Sequence, residues 1–248
     1  MSEVAKALQT VKQNIYQTAK LFGRAENSVR LVAVSKTKSV EMIKECFDAG
    51  QEHFGENYIQ EICEKAPLLP KEIKWHFIGH LQSNKVKQLV EKVESLYMVE
   101  TVDRVKIAQA LEKTWSSTGR DRKLNVLVQV NTSNEESKSG ISTISECEEV
   151  IRYIMEQCPH LNLRGLMTIG SYEHSQDPER NPDFEKLVQF KTELFEKIAE
   201  LSQITPFELS MGMSHDYEVA IKYGSTNVRV GSAIFGARTQ NPNSTANQ

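Results

Sequence analysis

Short apolar runs alternate along this chain with longer stretches in which apolar residues recur every three or four positions. The first pattern reads as buried strand and the second as amphipathic helix. Runs at residues 31–34, 53–55, 74–78, 96–99, 124–130, 163–169, 207–211 and 228–230 predict eight strands. Periodic stretches at about 40–49, 58–66, 84–91, 103–114, 143–157, 182–201 and 216–222 predict a helix after each of the first seven. Punctuation agrees with these boundaries. Gly50 closes the helix after the first strand, Pro67 and Pro70 end the next helix, and Asp103 is a good N-cap residue. Ahead of the first strand, Val4, Leu8, Val11, Ile15 and Ala19 lie at helical spacing and predict an additional amphipathic helix.

Strict alternation of strand and helix implies a parallel sheet. At 248 residues the natural closure is an α/β fold built as a single (β/α)8 TIM-type barrel with an extra N-terminal helix. A doubly wound open sheet is the competing arrangement. It would be favoured by a glycine-rich turn after the first strand, and Ser35-Lys36-Thr37-Lys38 is not one. No Pro/Ser-rich linker or charge block divides the chain, so residues 1–238 are read as one domain. Residues 239–248, polar and rich in Asn, are read as a disordered tail.

Composition narrows the function classes. The chain is 39% hydrophobic and 25% charged with a net charge of −3, which argues against nucleic acid as the main partner. No apolar run approaches the roughly 20 residues needed to span a membrane. The N-terminus lacks a signal-peptide core. Cys46, Cys63, Cys147 and Cys158 form no CxxC pair and have no histidine at zinc-ligand spacing, so reduced thiols and a cytoplasmic protein are expected. A mitochondrial presequence is a weaker reading, because Glu3 and Glu26 sit among the basic residues, and a mitochondrial pool stays open. With no evident partner surface, a monomer is expected.

The candidate chemistry lies at the strand ends, where barrels bind ligands. Lys36 ends the apolar run Val32-Ala33-Val34. A lysine held against apolar walls loses ammonium solvation, and its neutral amine can attack an aldehyde. Lys38 is the competing amine, further into the loop. The last two strands end in Ser210-Met211-Gly212-Met213-Ser214 and Arg229-Val230-Gly231-Ser232. Small residues, backbone N–H groups and hydroxyls there suit a phosphate, which barrels often bind after strands seven and eight. A phosphorylated aldehyde satisfies both features, and pyridoxal 5'-phosphate is such a ligand.

Each of these residues also has a plainer reading. Arg229 can simply pair with Glu208. His76 sits inside an apolar strand and reads as a satisfied core histidine, whereas His80, just past a glycine, is open to ligand contact. Asn57 and Asn131 can cap turns, and Met167, Met211 and Met213 can fill core. No His, Asp or Glu group has metal spacing.

Six segments taken together resemble the pyridoxal phosphate homeostasis protein family. They are Val34-Ser35-Lys36, Phe54-Gly55-Glu56-Asn57-Tyr58, the stretch 75–85 from Trp75 through His76 and His80 to Lys85, Gly165-Leu166-Met167-Thr168-Ile169-Gly170, Leu209 through Ser214, and Val228 through Gly236. The resemblance covers about residues 5–238. It implies a single barrel like the N-terminal domain of alanine racemase, with Lys36 carrying pyridoxal phosphate as an aldimine. It also implies that Ser210, Gly231 and Ser232 surround the phosphate and that Asn57 and Met211 lie near the ring. Arg229 would face the pyridine nitrogen or help to hold the phosphate.

The resemblance further implies a cofactor-homeostasis protein without established catalysis, whose partners are pyridoxal phosphate and recipient apo-enzymes. The alternative is a racemase-like pyridoxal-phosphate enzyme. Racemisation needs a base on each face of the cofactor, and in alanine racemases the second is a tyrosine reached with a C-terminal domain. Only a short tail follows Gly236 here, which favours the carrier. A cofactor-free lysine aldolase acting on a sugar phosphate is the third possibility.

Overall fold

Short β-branched runs form strands, and the amphipathic stretches between them form helices that return the chain to the same edge. In a computed structural model the described residues are 2–135 and 137–237. The order is α1 (Glu3–Leu21), β1 (Arg30–Val34), α2 (Val40–Asp48), β2 (His53–Glu56), α3 (Ile59–Lys65), β3 (Lys74–Phe77), α4 (Val86–Lys92), β4 (Leu96–Val102) and α5 (Val105–Ser116). It continues through β5 (Leu124–Gln129), α6 (Ile144–Gln157), β6 (Leu161–Met167), α7 (Pro182–Lys197), β7 (Glu208–Ser210), α8 (Tyr217–Lys222), β8 (Asn227–Val230) and α9 (Ser232–Phe235). The eight strands are parallel and close into a barrel, β8 pairing with β1 so that Arg229 lies opposite Val32.

All eight expected strands are present, as is the N-terminal helix. Serine, threonine and asparagine cap the helices where the sequence supplies them: Ser39 for α2, Thr143 for α6 and Asn181 for α7 each accept a bond from a first-turn N–H. Asp103 does not cap α5. Arg104 occupies that position in an extended conformation, and Asp103 instead takes the Arg104 guanidinium at 2.7 Å. The helix expected to reach residue 201 stops at Lys197, where Ile198 turns to φ −129° and ψ 89°, and a 3-10 turn over Ala199–Gln203 follows. The four residues of α9 are too few to show a helical period in the sequence. The expected tail at 239–248 lies outside the described residues.

β4 runs three residues beyond its apolar run, through Glu100 and Thr101 to Val102. A carboxylate normally ends a buried strand, because burying an unpaired charge is costly. Here Glu100 is fully buried inside the barrel and fully hydrogen-bonded, so the strand continues.

The core has two parts. One large cluster fills the layer between barrel and helices, including Phe54, Trp75, Phe77, Leu89, Trp115 and Phe184. A small cluster of Met98, Leu127 and Met167 forms a separate patch. Gly79 brings β3's exit loop against the chain after β2. A Cβ there would sit 1.9 Å from the Asn57 carbonyl oxygen, so only glycine permits this approach.

All four cysteines are unpaired. Burial pushes the Cys46 and Cys147 thiols up to about 12 and the Cys158 thiol up to about 11. Only Cys63 is partly exposed, and burial raises its pKa as well. The thiolate is the reactive form. A disulfide-exchange reagent at neutral pH is therefore expected to modify at most one thiol rapidly, at Cys63, and four in denaturant. Rapid native modification of Cys46 or Cys147 would contradict this packing.

Candidate functional site

A cavity of about 270 Å³ opens at the carboxyl ends of the strands. Val34, Ile78, Met167, Ile169 and Met213 give it apolar walls. Its polar lining comes from Lys36, Lys38, Asn57, Ser214, His215, Arg229, Gly231, Ser232 and Gly236. That volume is near the lower end of the ~300–1,000 Å³ typical of small-molecule pockets, and a mostly apolar wall with a few polar groups is the usual composition.

Lys36 is placed by the way β1 ends. The Ser35 N–H donates to the Gly55 carbonyl at 3.0 Å, the last rung toward β2. The Ser35 hydroxyl donates to Glu56 at 2.7 Å, and the Ser35 carbonyl accepts from Lys65 at 3.0 Å. Thr37 then turns to φ +63°, and its N–H donates to Glu61 at 2.8 Å. Lys36 is thus carried half-buried between two anchored residues. Lys38 lines the same cavity, and its ammonium donates to the carbonyls of Gly236 and Ala237 at 3.1 and 2.9 Å.

β7 and β8 bring the hydroxyl and amide groups. The Ser214 Oγ accepts from the Gly231 N–H at 3.2 Å and from the Ala233 N–H at 3.4 Å, tying the two exit loops together. A Cβ on Gly231 would lie 3.2 Å from the Val34 carbonyl oxygen, so a larger residue would crowd β1. Asn57 reaches the wall with a buried Oδ1 that has no hydrogen-bond partner among the described residues. A cavity wall is where such an atom can still find one, from a ligand.

Arg229 is 3% exposed, and its guanidinium donates to Ser210 Oγ at 2.5 Å and to the Thr168 carbonyl at 2.7 Å. Burial lowers its pKa, against the opposing pull of Glu100 and Asp216. The expected alternative pairing with Glu208 does not occur. Glu208 is taken by Arg164 on the adjacent β6 and by Arg30 on β1, two strands away across β8.

Five of the seven residues singled out in the sequence line this cavity: Lys36, Asn57, Arg229, Gly231 and Ser232. Ser210 and Met211 do not line it. Ser210 lies fully buried below Arg229, and Met211 belongs to the hydrophobic core. His80 also lies outside it, on an adjacent groove, with its Nδ1 2.7 Å from Ser139 Oγ. Asn131 caps its own loop by donating to the carbonyls of Glu135 and Lys138. His76 is a satisfied core histidine, as its strand context suggests. His215 was not picked out in the sequence, because a histidine one residue past a serine-glycine turn carries no pattern of its own.

The comparisons with known proteins bear on this site. Residues 7–239 match the model of the alanine racemase N-terminal domain. The human pyridoxal phosphate homeostasis protein is 46% identical over 243 residues, covering 95% of this chain and 86% of that protein. The protein of the same name from Vibrio alginolyticus is 41% identical, with 96% and 99% covered.

The chain belongs to the pyridoxal phosphate homeostasis protein family.

Two kinds of solved structure share its fold. PipY of Synechococcus elongatus, solved with pyridoxal phosphate bound, superposes with a TM-score of 0.71 at 31% identity, over 90% of this chain and all of that one. An alanine racemase of Clostridium difficile superposes with a TM-score of 0.67 at 14% identity, over 91% of this chain and 59% of the racemase. The racemase likeness is one of fold. Within the homeostasis family the match spans nearly the whole of both chains. Among the described residues, no group of three His, Cys, Asp or Glu can hold a metal ion. No helix among them is long and apolar enough to cross a membrane.

Proposed function

We propose that this chain binds pyridoxal phosphate through a reversible Schiff base on Lys36 and holds the cofactor without turning over a substrate. The observation that carries the reading is that Lys36, Arg229 and the Gly231–Ser232 turn line one cavity of ligand size. The pyridoxal phosphate bound by PipY, and the name borne by the curated relatives, support it.

The residues present fit the group. Asn57 offers a buried amide oxygen that lacks a partner among the described residues, and Gly231 and Ser232 line the wall at the start of α9. The bound cofactor would supply an aldehyde for amine exchange and, in an enzyme, an electron sink. Lys36 would hold the aldehyde carbon, Asn57 would orient the ring, and Gly231 and Ser232 would receive the phosphate. Arg229 would present a fixed cation, with Ser210 holding it from below and Met211 packing behind the site. Reversibility suits a carrier that passes the cofactor to apo-enzymes, acting as a monomer in the cytoplasm.

A racemase-like activity would need a second base facing Lys36. Among the described cavity residues no tyrosine is present, and His215 is the side chain such an enzyme would have to use. The test is direct. Added pyridoxal phosphate should give a visible absorbance, and borohydride reduction with peptide mapping should label Lys36. Label on Lys38 would refute the assignment. Exchange of the α-proton of a free amino acid, lost on His215→Ala, would replace the carrier with the enzyme.

A further inference from the structure

The interior of this barrel is crossed by one directed run of hydrogen bonds. His53 Nδ1 lies 2.9 Å from His76 Nε2, and His76 Nδ1 lies 2.6 Å from Glu100 Oε1. Ser210 donates to Glu100 Oε2 at 2.6 Å, and Arg229 donates to Ser210 at 2.5 Å. The Asn227 amide donates to both Glu100 and Ser210, at 3.0 and 2.9 Å. The donors of Ser210, Asn227 and Arg229 all run toward Glu100. That carboxylate therefore accepts from His76, Ser210 and Asn227 at once, which only its anionic form does with both oxygens.

The charges follow from this geometry. Burial alone would raise the Glu100 pKa, but the hydrogen bond and electrostatic pull of His76, with Arg229 and Ser210, bring it down to about 2. His53 is held neutral, because burial and the neighbouring His76, Arg30 and Lys74 push its pKa down to about 2. Against an ionised Glu100, His76 Nδ1 is the donor to the carboxylate, whichever ring donates between His53 and His76. Two acidic residues act on Arg229, Glu100 and Asp216. Asp216 is half of a different arrangement: it caps the β7–α8 turn through the Met213 N–H, and burial raises its pKa. Glu100 is the carboxylate held firmly ionised.

We propose that Glu100 is the buried counterion of the cofactor cavity, a positioning residue that, through Ser210, fixes the guanidinium of Arg229 and balances its charge. This rests on the reading of the cavity as a pyridoxal phosphate site. A strand that keeps a carboxylate inside the barrel, fully satisfied, must offset a large desolvation cost. A cation at the cavity wall gives that carboxylate a role. With Glu100 in place, Arg229 presents donors to a ligand with little net field. Without it, a full positive charge faces the Lys36 adduct in a poorly screened interior, where charge effects are large.

The experiment is a charge cycle read by the visible spectrum of the full chain loaded with pyridoxal phosphate at one fixed pH. The readout is the ratio of the long-wavelength band of the protonated Lys36 adduct to the short-wavelength band of the unprotonated one. Glu100→Gln leaves excess positive charge and is expected to lower the ratio about tenfold. Arg229→Gln leaves excess negative charge and should raise it. The double variant, neutral again, should return to within about twofold of the parent. A merely structural role would move both single variants the same way and the double further still. Such a pattern, or an unmoved Glu100→Gln spectrum, overturns the proposal. Should Glu100→Gln alone not fold, Arg229→Gln and the double variant carry the comparison. Removing the carboxylate in that background must lower the ratio, and an unchanged or raised ratio overturns the proposal. A parent protein with no visible band overturns the cofactor reading and this one together. A parent with Lys36 labelled but no response to Glu100→Gln overturns only the counterion.

Discussion

Lys36→Ala is expected to abolish the visible band of the pyridoxal phosphate complex and the borohydride-stable label. It should also weaken cofactor binding at least about a hundredfold, equivalent to about 2.7 kcal/mol. The argument is one of remaining contacts. Without the lysine, the ligand would keep only hydrogen bonds and ion contacts from Asn57, Arg229, Gly231 and Ser232, all of them partly matched by water in the free state. The proposed covalent link is what water cannot replace. Lys36 is only half-buried at the end of β1, so its truncation should leave the thermal midpoint nearly unchanged. Equilibrium dialysis and difference spectra on Lys36→Ala and Lys38→Ala decide the matter. Lys38→Ala should keep the band, because its ammonium is occupied with the Gly236 and Ala237 carbonyls. A Lys36→Ala protein that keeps a full band would refute the assignment of the amine.

The rhythm that makes the barrel was legible because it is local. Each strand's outward face packs on helices, so Leu31, Ala33, Phe54, Trp75 and Val99 read as apolar runs. Parallel strands covered by helices read that way in general. The inward face was legible only in part: His76 reads as a core histidine and Ser210 and Arg229 as strand-end residues, but not as one connected set. His53, His76, Glu100, Ser210, Asn227 and Arg229 come from five strands spread over residues 53–229. No sequence period links them, and each looks like an interruption when read alone. Glu100 shows the consequence: it made β4 look three residues shorter than it is. Its partners are His76, Ser210 and Asn227, the last 127 residues away. Lys36 and the turn after β8 could be recognised because strand ends in a barrel converge on one mouth. Which of their neighbours would line the cavity, and which would lie beneath it, depended on side-chain direction at β7. There Ser210 points into the barrel and Met211 into the core.

Lys65→Met is expected to destabilise the protein by about 3–5 kcal/mol, the range for breaking a buried ion pair from one side. For a domain of this size that corresponds to a thermal midpoint lower by about 6–20 °C. Lys65 is 9% exposed on α3, and its ammonium donates to Glu56 at 2.8 Å, to Glu61 at 2.6 Å and to the Ser35 carbonyl at 3.0 Å. Glu56 is completely buried. Burial raises its pKa, with Lys65 and Ser35 pulling the other way. Removing the cation leaves that carboxyl with the Ser35 hydroxyl alone. A second change separates charge from packing: Lys65→Met with Glu56→Gln removes the stranded charge and should recover at least about half the loss. The same residue props the loop proposed to hold the cofactor, since its partners Ser35 and Glu61 hold the chain on both sides of Lys36. Lys65→Met should therefore also weaken pyridoxal phosphate binding several-fold below the melting transition, where Lys36 itself is intact. Thermal unfolding together with cofactor titration measures both effects. A midpoint within about 1 °C of the parent, or a double variant no more stable than the single one, would show that this buried triad does not support the strand end that carries Lys36.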